Sequence, residues 1–533
     1  MERAAGRGRS VAVLAGRGSP AVADLRRWLP ALAATMALLA AAILRFAALA
    51  HQPGLFPDEG AEAWDAHLLL TQPGFHPVFF DDDAGREALY GYLVAAAFHT
   101  FGESVYVLRA VSAALGVLGV AATGYALRHF GRAVALAGMA WTAGTLWLVC
   151  VARDGERNVL VPLFAALAIA ALITWARRPG RLTAIVAGAV VAGGLWTYQP
   201  LKLTPLLVLL WLVWLRRVNP DRYRSLRAGL GWMIAAYLVV AAPMFWTALT
   251  DPFNYFGRDV VVSPLNRHMG LRGYGTHVLR TLGMFIFDGD PNPRQNVDGL
   301  PLLSLPLFVL AVLGAWRAWV NRRSSAHSLL LIGMLVFMLP PLVAVEGGSP
   351  HFLRSLGIAP FLAGLIGLGA LELHDRAGKV LHHPDGLQRI VVGACTALLA
   401  ITAVASGEAY LHRSAASLYT PYSGDLVQLA TAGRQEAGTA VVTNTYDSVD
   451  VLFLDQSAEP ALVRPGHPLP DPGRYSKIVA LSQAALAGAV GPALAETAVP
   501  IAWKPDGEPS VWSLRQSPGP PLRADQPIRT GPG

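Results

Sequence analysis

Apolar residues occur along this chain in long runs, separated by short joints rich in arginine. Crossing a bilayer as a helix takes roughly 20 apolar residues, with a range of about 17–25. Eleven runs read as candidate spans: 28–50, 104–127, 133–151, 159–176, 182–198, 201–215, 228–249, 301–320, 328–346, 352–373 and 389–408. The run at 201–215 is short, and Gln199-Pro200 leaves the end of its neighbour open. The first run has the basic flank (Arg26, Arg27) and small-residue end (Ala48-Leu49-Ala50) of a secretory signal. It is longer than a usual signal core and Arg45 interrupts its far end, so it reads as an uncleaved anchor. The segment 88–101 is apolar but short of a crossing, and it reads as an interfacial or partly immersed helix.

The arginine-rich joints set an expected orientation. Cytoplasmic loops carry an excess of Lys and Arg. With the N-terminal segment 1–27 inside, the clusters at Arg128/Arg132, Arg177/Arg178/Arg181, Arg216–Arg227, Arg317/Arg322/Arg323 and Arg376/Lys379/Arg389 all fall inside as well, provided 88–101 does not span. The expected outer face then holds loops 51–103, 152–158, 250–300 and 347–351 and the turn at 199–202, together with everything after about residue 409. The stretch 409–515 has no further membrane-length run. Residues 439–455 read as a strand, a helix-like or turn segment and a second strand, which suggests a small α/β domain. The Pro/Gly-rich end, 516–533, reads as a disordered tail. The expected architecture is an α-helical polytopic membrane protein, its transmembrane domain at 28–408, with a small α/β extracytoplasmic domain.

Composition agrees with that pattern. Only 15% of the 533 residues are charged, 53% are hydrophobic and the mean hydropathy is +0.42, against about 25% charged in soluble proteins. The net charge of +8 sits in the joints rather than on one basic face, so no nucleic-acid partner is expected. The two cysteines, Cys150 and Cys395, lie in apolar runs and read as small core residues.

The chemistry concentrates on the outer loops. Asp58-Glu59 follows Pro57, and Asp58, Glu62 and Asp65 share one helical face. Acids in a first helical turn are favoured by the helix dipole alone, so the pair reads either as a solvated helix start or as a general base at the membrane surface. Asp81-Asp82-Asp83 reads as a solvated turn, with a divalent metal left open. Arg86 sits at phosphate depth, either as an interfacial anchor or as a phosphate clamp. The loop Ala152-Arg153-Asp154-Gly155-Glu156-Arg157-Asn158 packs four charges between two spans, which marks it as a candidate site. Lys202 and the i, i+3 pair His351/Arg354 are further candidate anion ligands. In the loop 250–300, residues 271–287 read as an amphipathic helix and Asp288–Asn292 as a turn. Together these features suit an enzyme acting on a lipid-linked phosphate better than a solute transporter, because no broken helix pair carries charge near the midplane.

The run Leu44-Arg45-Phe46 through Gln52-Pro53-Gly54-Leu55-Phe56-Pro57-Asp58-Glu59-Gly60-Ala61-Glu62-Ala63 resembles the start of C-type (GT-C) glycosyltransferases, in particular protein O-mannosyltransferases and bacterial aminoarabinose transferases. Gly85-Arg86-Glu87-Ala88-Leu89-Tyr90, Phe101-Gly102-Glu103-Ser104, Leu108-Arg109-Ala110, Ala152-Arg153, Pro162-Leu163-Phe164 and Pro350-His351-Phe352-Leu353-Arg354 continue the likeness over residues 40–370. The resemblance implies sugar transfer, with inversion, from a polyprenyl-phosphate carrier to an acceptor hydroxyl on a protein, lipid or glycan. It implies Asp58 as general base and Glu59 as its support. Arg86, Arg153, Asp154, Arg157, Lys202, His351 and Arg354 become candidates for the donor phosphate. Two departures stand out. Asn158 falls where some relatives carry an Asp, and Gly85 replaces an acidic metal ligand of the aminoarabinose transferases, so no metal is assigned. The alternatives are a non-catalytic binder or carrier of lipid-linked sugars, and a ligase or polymerase using pyrophosphate-linked oligosaccharide.

Overall fold

Long apolar helices dominate the chain because, away from water, only a helix satisfies a backbone within its own segment. The computed structural model describes residues 20–49, 54–81, 84–380, 384–444, 447–455, 462–464, 466–469 and 471–515. The expected tail 516–533 and most of the segment 1–27 lie outside the described residues. Among the described residues seven helices are long and apolar enough to cross a membrane, including Trp28–Phe46, Val105–Phe130, Arg157–Arg177 and Leu353–Lys379. Leu89–Phe101, Arg181–Trp196 and Leu305–Val320 are apolar but shorter. Two expected spans are divided: 133–151 breaks at the extended residue Thr145 into Arg132–Gly144 and Leu146–Val151, and 201–215 becomes a 3-10 turn followed by the helix Thr204–Val218. The helices Arg157–Arg177 and Leu353–Lys379 form the buried centre. The outer helices leave Ile43, Val239 and Ile401 more than half exposed, as side chains facing lipid would be.

The first outer loop begins with the helix Pro57–Thr71 and continues through a two-stranded ribbon, β1 (Phe79–Phe80) against β2 (Arg86–Glu87). The expected interfacial segment is the helix Leu89–Phe101, 13 residues, or about 20 Å at 1.5 Å per residue. It packs beneath Pro57–Thr71.

After the helix Pro384–Leu411 the chain forms a five-stranded sheet in the order β4 (Leu462–Val463), β3 (Thr439–Val442), β5 (Lys477–Ala480), β7 (Pro509–Arg515), β6 (Val499–Trp503). The first three are parallel and the last two antiparallel. One face carries the helices Gly424–Arg434 and Ser448–Leu454, through Leu426, Leu429 and Val451. The other carries Gln483–Val490, through Leu486 and Ala489. The expected second strand within 439–455 is instead the helix Ser448–Leu454. A short apolar run such as Val451-Leu452-Phe453 fits either form by period alone, and here docking decides. Phe453 stacks on Phe98 with ring centroids 5.7 Å apart. Asp450 lies against Gly60, where an added Cβ would fall 1.7 Å from its Oδ1.

That close approach gives a direct test. Gly60→Leu should lift the Ser448–Leu454 helix off its seat, at the ~1–3 kcal/mol typical of overpacking, and speed proteolysis between the two parts of the chain. Combining Gly60→Ala with Asp450→Ala should protect better than Gly60→Ala alone. Equal cleavage of those two variants would mean that the contact does not hold the domains together.

Candidate functional site

A cavity of about 800 Å³ opens between the first outer loop, the loop at 152–158 and the segment 250–300. Asp58 lines it, and so do Arg157, Lys202, His351 and Arg354. Three of the expected phosphate ligands do not: Arg86, Arg153 and Asp154 are buried elsewhere.

Asp58 is placed by its neighbour. Phe56 is the extended N-cap of the helix, Pro57 opens the first turn, and Glu59 folds back so that its Oε2 accepts the Phe56 N–H at 3.3 Å. Glu59 itself points away from the cavity and is fully buried. It accepts Arg109 Nε at 2.8 Å on Oε1 and Arg109 Nη2 at 2.7 Å on Oε2, while Gly155 N–H donates to Oε1 at 2.7 Å. These donors offset the penalty of burial and hold Glu59 below its usual range. Glu59 thus touches nothing that enters the cavity; it fixes the helix end that carries Asp58.

The correction at Arg86 has a simple cause. Its guanidinium pairs with Asp65 and lies 3.6 Å from Glu62. A buried cation that already holds carboxylates has little charge left for a phosphate. Arg153 donates to the carbonyls of Leu44 and Arg45 at 3.0 and 3.1 Å and so caps the first helix. Arg45 does the same for the neighbouring helix through Thr142 and Ala143. Asp154 accepts the Tyr422 hydroxyl at 2.8 Å, and burial together with Glu59 pushes it up to about 7.

Within the cavity, Arg157 is shared between Glu62 at 2.9 Å and Glu87 at 3.2 Å. Lys202 donates to Tyr255 O at 2.6 Å and pairs with Asp259 at 3.0 Å. Arg354 donates to the Ala344 carbonyl at 2.8 Å and, among the described residues, forms no ion pair. His351 lines the wall, and burial with the nearby Arg354 holds it down to about 3, so it would meet an anion through a neutral imidazole N–H.

Several lining residues escaped the sequence reading. Glu156, rather than Asp154, is the acid of the second loop that faces the cavity. Its Oε1 accepts Arg294 at 2.8 Å and its Oε2 accepts Asn158 at 2.6 Å. Burial pushes it up to about 8 against the pull of Arg294, and Asp58 and Asp154 add to the rise. Arg294 lies over the Phe56 ring, 3.4 Å from its centroid, and Arg258 completes the cationic wall. Both come from the long loop 250–300, where the only available signal was an arginine on an outer segment, the side that the positive-inside rule disfavours.

Among the described residues no three of His, Cys, Asp and Glu gather as a metal-binding group. Gly85 has φ +96° and lies so close to Asn254 that a Cβ would fall 1.9 Å from its carbonyl oxygen, so an acidic side chain has no room there. Asp81 accepts the Asn254 amide at 2.8 Å, while Asp82 and Asp83 lie outside the described residues.

A core of membrane-length helices, a carboxylate-bearing helix after the first of them and a C-terminal α/β domain make up a fold that is found in solved structures. Among these the chain is similar to ArnT from Cupriavidus metallidurans bound to undecaprenyl phosphate, with a TM-score of 0.55 and 15% identity over 93% of this chain and 99% of that one. It is also similar to the Archaeoglobus fulgidus oligosaccharyltransferase in complex with Zn and sulfate, with a TM-score of 0.53 and 13% identity over 90% and 72%. No family model matches the chain, and no curated protein matches it significantly in sequence.

Two outcomes follow from this electrostatic arrangement. Arg109→Ala leaves Glu59 buried without its main partner and should cost about 3–5 kcal/mol of stability, read as a fall in melting temperature of the detergent-solubilised protein. Arg109→Leu with Glu59→Gln should recover part of the loss; no recovery would mean that pairing is not what holds this end of the helix. Asp450 gives a pH signature. Neither of its carboxyl oxygens has a hydrogen-bond partner among the described residues, and burial beside Glu59, Asp447, Asp58 and Asp425 holds it well above the usual carboxylate range. The folded chain therefore keeps a proton that the unfolded chain releases above about pH 4. Its stabilising contribution is full below that pH and is lost as pH rises. Asp450→Asn should flatten the fall in melting temperature between pH 5 and 8, and an unchanged slope would count against the assignment.

Proposed function

We propose that the chain is a membrane glycosyltransferase that moves a sugar from a polyprenyl-phosphate carrier to an acceptor hydroxyl, with inversion, at the extracytoplasmic face of the cell membrane. The observation that carries this reading is that Asp58 and the cations Arg354, Lys202, Arg258 and Arg294 line one cavity. The solved neighbour ArnT, crystallised with undecaprenyl phosphate, supports the choice of carrier.

In this reading Asp58 takes the proton from the acceptor hydroxyl. The acceptor oxygen attacks the anomeric carbon from the side opposite the phosphate. The bond from that carbon to the phosphate oxygen breaks, and its electron pair leaves with the phosphate. The developing charge falls beside Arg354, whose one described bond is to a backbone carbonyl, and beside Lys202. Cations already positioned where charge develops stabilise a transition state without reorganising. Glu156 and Arg294 neutralise each other and shape the wall next to Asp58.

Asp58→Asn should lower transfer from a polyprenyl-phosphate sugar by about 10²–10⁴-fold while donor lipid still binds, as read by native mass spectrometry. Arg354→Ala should weaken lipid-phosphate binding by about tenfold, equivalent to ~1.4 kcal/mol. Full transfer by the Asp58→Asn variant would remove Asp58 as the base. Donor binding with no transfer in the unaltered protein would favour a carrier.

A further inference from the structure

A second cavity lies in the C-terminal domain, apart from the one described above. It measures about 420 Å³, within the ~300–1,000 Å³ typical of small-ligand sites. It sits beyond the carboxyl ends of β3 and β5, two adjacent parallel strands. The chain leaving β3 runs to the helix Ser448–Leu454 on one face of the sheet, and the chain leaving β5 runs to Gln483–Val490 on the other. Where neighbouring parallel strands send their connections to opposite faces, the loops diverge and leave a crevice. That topological switch point is where open α/β sheets bind ligands.

The lining decides the ligand class. Thr443, Asn444, Asp447 and Ser482 supply its polar groups, and the small residues Ala484 and Gly488 keep it open. Among the described residues no Lys, Arg or His lines it, and the Asp447 carboxylate would repel an anion. Hydroxyl, amide and carboxylate groups side by side offer both donors and acceptors, which is what a ligand bearing several neutral hydroxyls requires. Asn444 and Asp447 hold each other: Asp447 N–H donates to Asn444 Oδ1 at 2.7 Å, and the Asn444 amide donates to Asp447 Oδ2. The amide keeps a second hydrogen and the carboxylate keeps further lone pairs. The Thr443 hydroxyl is buried and has no partner among the described residues.

Its position relative to the membrane site is equally specific. Asp447 is the N-cap of the Ser448–Leu454 helix. Three residues on, about 4.5 Å along the axis, Asp450 touches Gly60, which is two residues from Asp58. A sugar bound at Asp447 is thus one short helix away from the proposed base.

We propose that this crevice is a saccharide subsite that holds part of a glycan acceptor beside the Pro57–Thr71 helix. Naming the sugar as acceptor rests on the transferase reading; the binding itself does not.

The test is saturation-transfer NMR on the full detergent-solubilised chain, with methyl glycosides of mannose, glucose, galactose and arabinose as probes and inorganic phosphate as competitor. A saccharide signal is expected in the unaltered protein and in Asp58→Asn, unaffected by phosphate. Asn444→Ala with Asp447→Ala should weaken it by about tenfold or more, the scale of one to two lost hydrogen bonds. Should that variant fail to fold, Ala484→Phe decides: Ala484 is exposed in the first turn of its helix, and a phenyl ring there fills the crevice without disturbing the core. No saccharide signal, a signal displaced by phosphate, or one that survives Ala484→Phe would overturn the proposal. A signal that behaves as expected in a protein with no transferase activity would sustain the subsite and reject only the transferase reading.

Discussion

Glu59 and Arg109 meet where water does not reach, and most of the outer architecture is built around their contact. The carboxylate belongs to the first outer loop and the guanidinium to the membrane helix Val105–Leu127. The same carboxylate takes the N–H of Gly155 in the second loop, and the same guanidinium donates to the Gly54 carbonyl at 3.0 Å. Tyr422, from the segment leading into the C-terminal domain, lies 5.7 Å from Arg109 and donates to Asp154. One buried ion pair therefore joins four separate stretches of chain. Such a pair adds little net stability compared with apolar residues of equal volume, but breaking it strands a charge. Its value here is positional, since it ties these four segments to one another.

The same accounting of charge explains which cations are open to a ligand. Arg86 is held by Asp65 and Glu62, Arg157 by Glu62 and Glu87, and Arg294 by Glu156. These pairings cancel most of the charge of Arg86, Arg157 and Arg294. Arg354 instead leans on a backbone carbonyl, which orients its guanidinium without cancelling its charge. In a cavity of low effective dielectric, a positioned but uncompensated cation is strongly biased toward an incoming anion.

How much of this could be read from the chain follows from the range over which each feature is determined. Most of the long apolar helices, the helix that carries Asp58 and the short helix Leu89–Phe101 rest on local pattern, and local pattern was enough for them. The assignments within the 152–158 loop were not readable. Asp154 and Glu156 are two residues apart in one turn, and only the placement of Tyr422 and Arg294, 268 and 138 residues away, decides which of them faces the cavity. Arg86 looked like a phosphate ligand because its neutralising partners, Asp65 and Glu62, lie on a different element. The helix Ser448–Leu454 looked like a strand because its apolar residues dock on Phe98 and Gly60, far back in the chain. Local pattern thus placed the helices and loops, and long-range pairing decided which of their side chains line the cavity.

The seat of the C-terminal domain bears on what that domain is for. A passive cap would be expected to meet the membrane part through apolar residues alone, as Phe453 does. Instead a carboxyl group, Asp450, is pressed against a glycine next to the Asp58–Glu59 pair, with neither oxygen bonded. An unsatisfied buried polar group costs about 1–3 kcal/mol, and an apolar residue of similar size would avoid that cost. Asp450 shares its helix with Asp447 of the upper crevice and lies within electrostatic reach of both Asp447 and Asp58. The helix Ser448–Leu454 thus spans the distance between the two cavities, with Asp447 at the upper one and Asp450 against Gly60 beside the lower one.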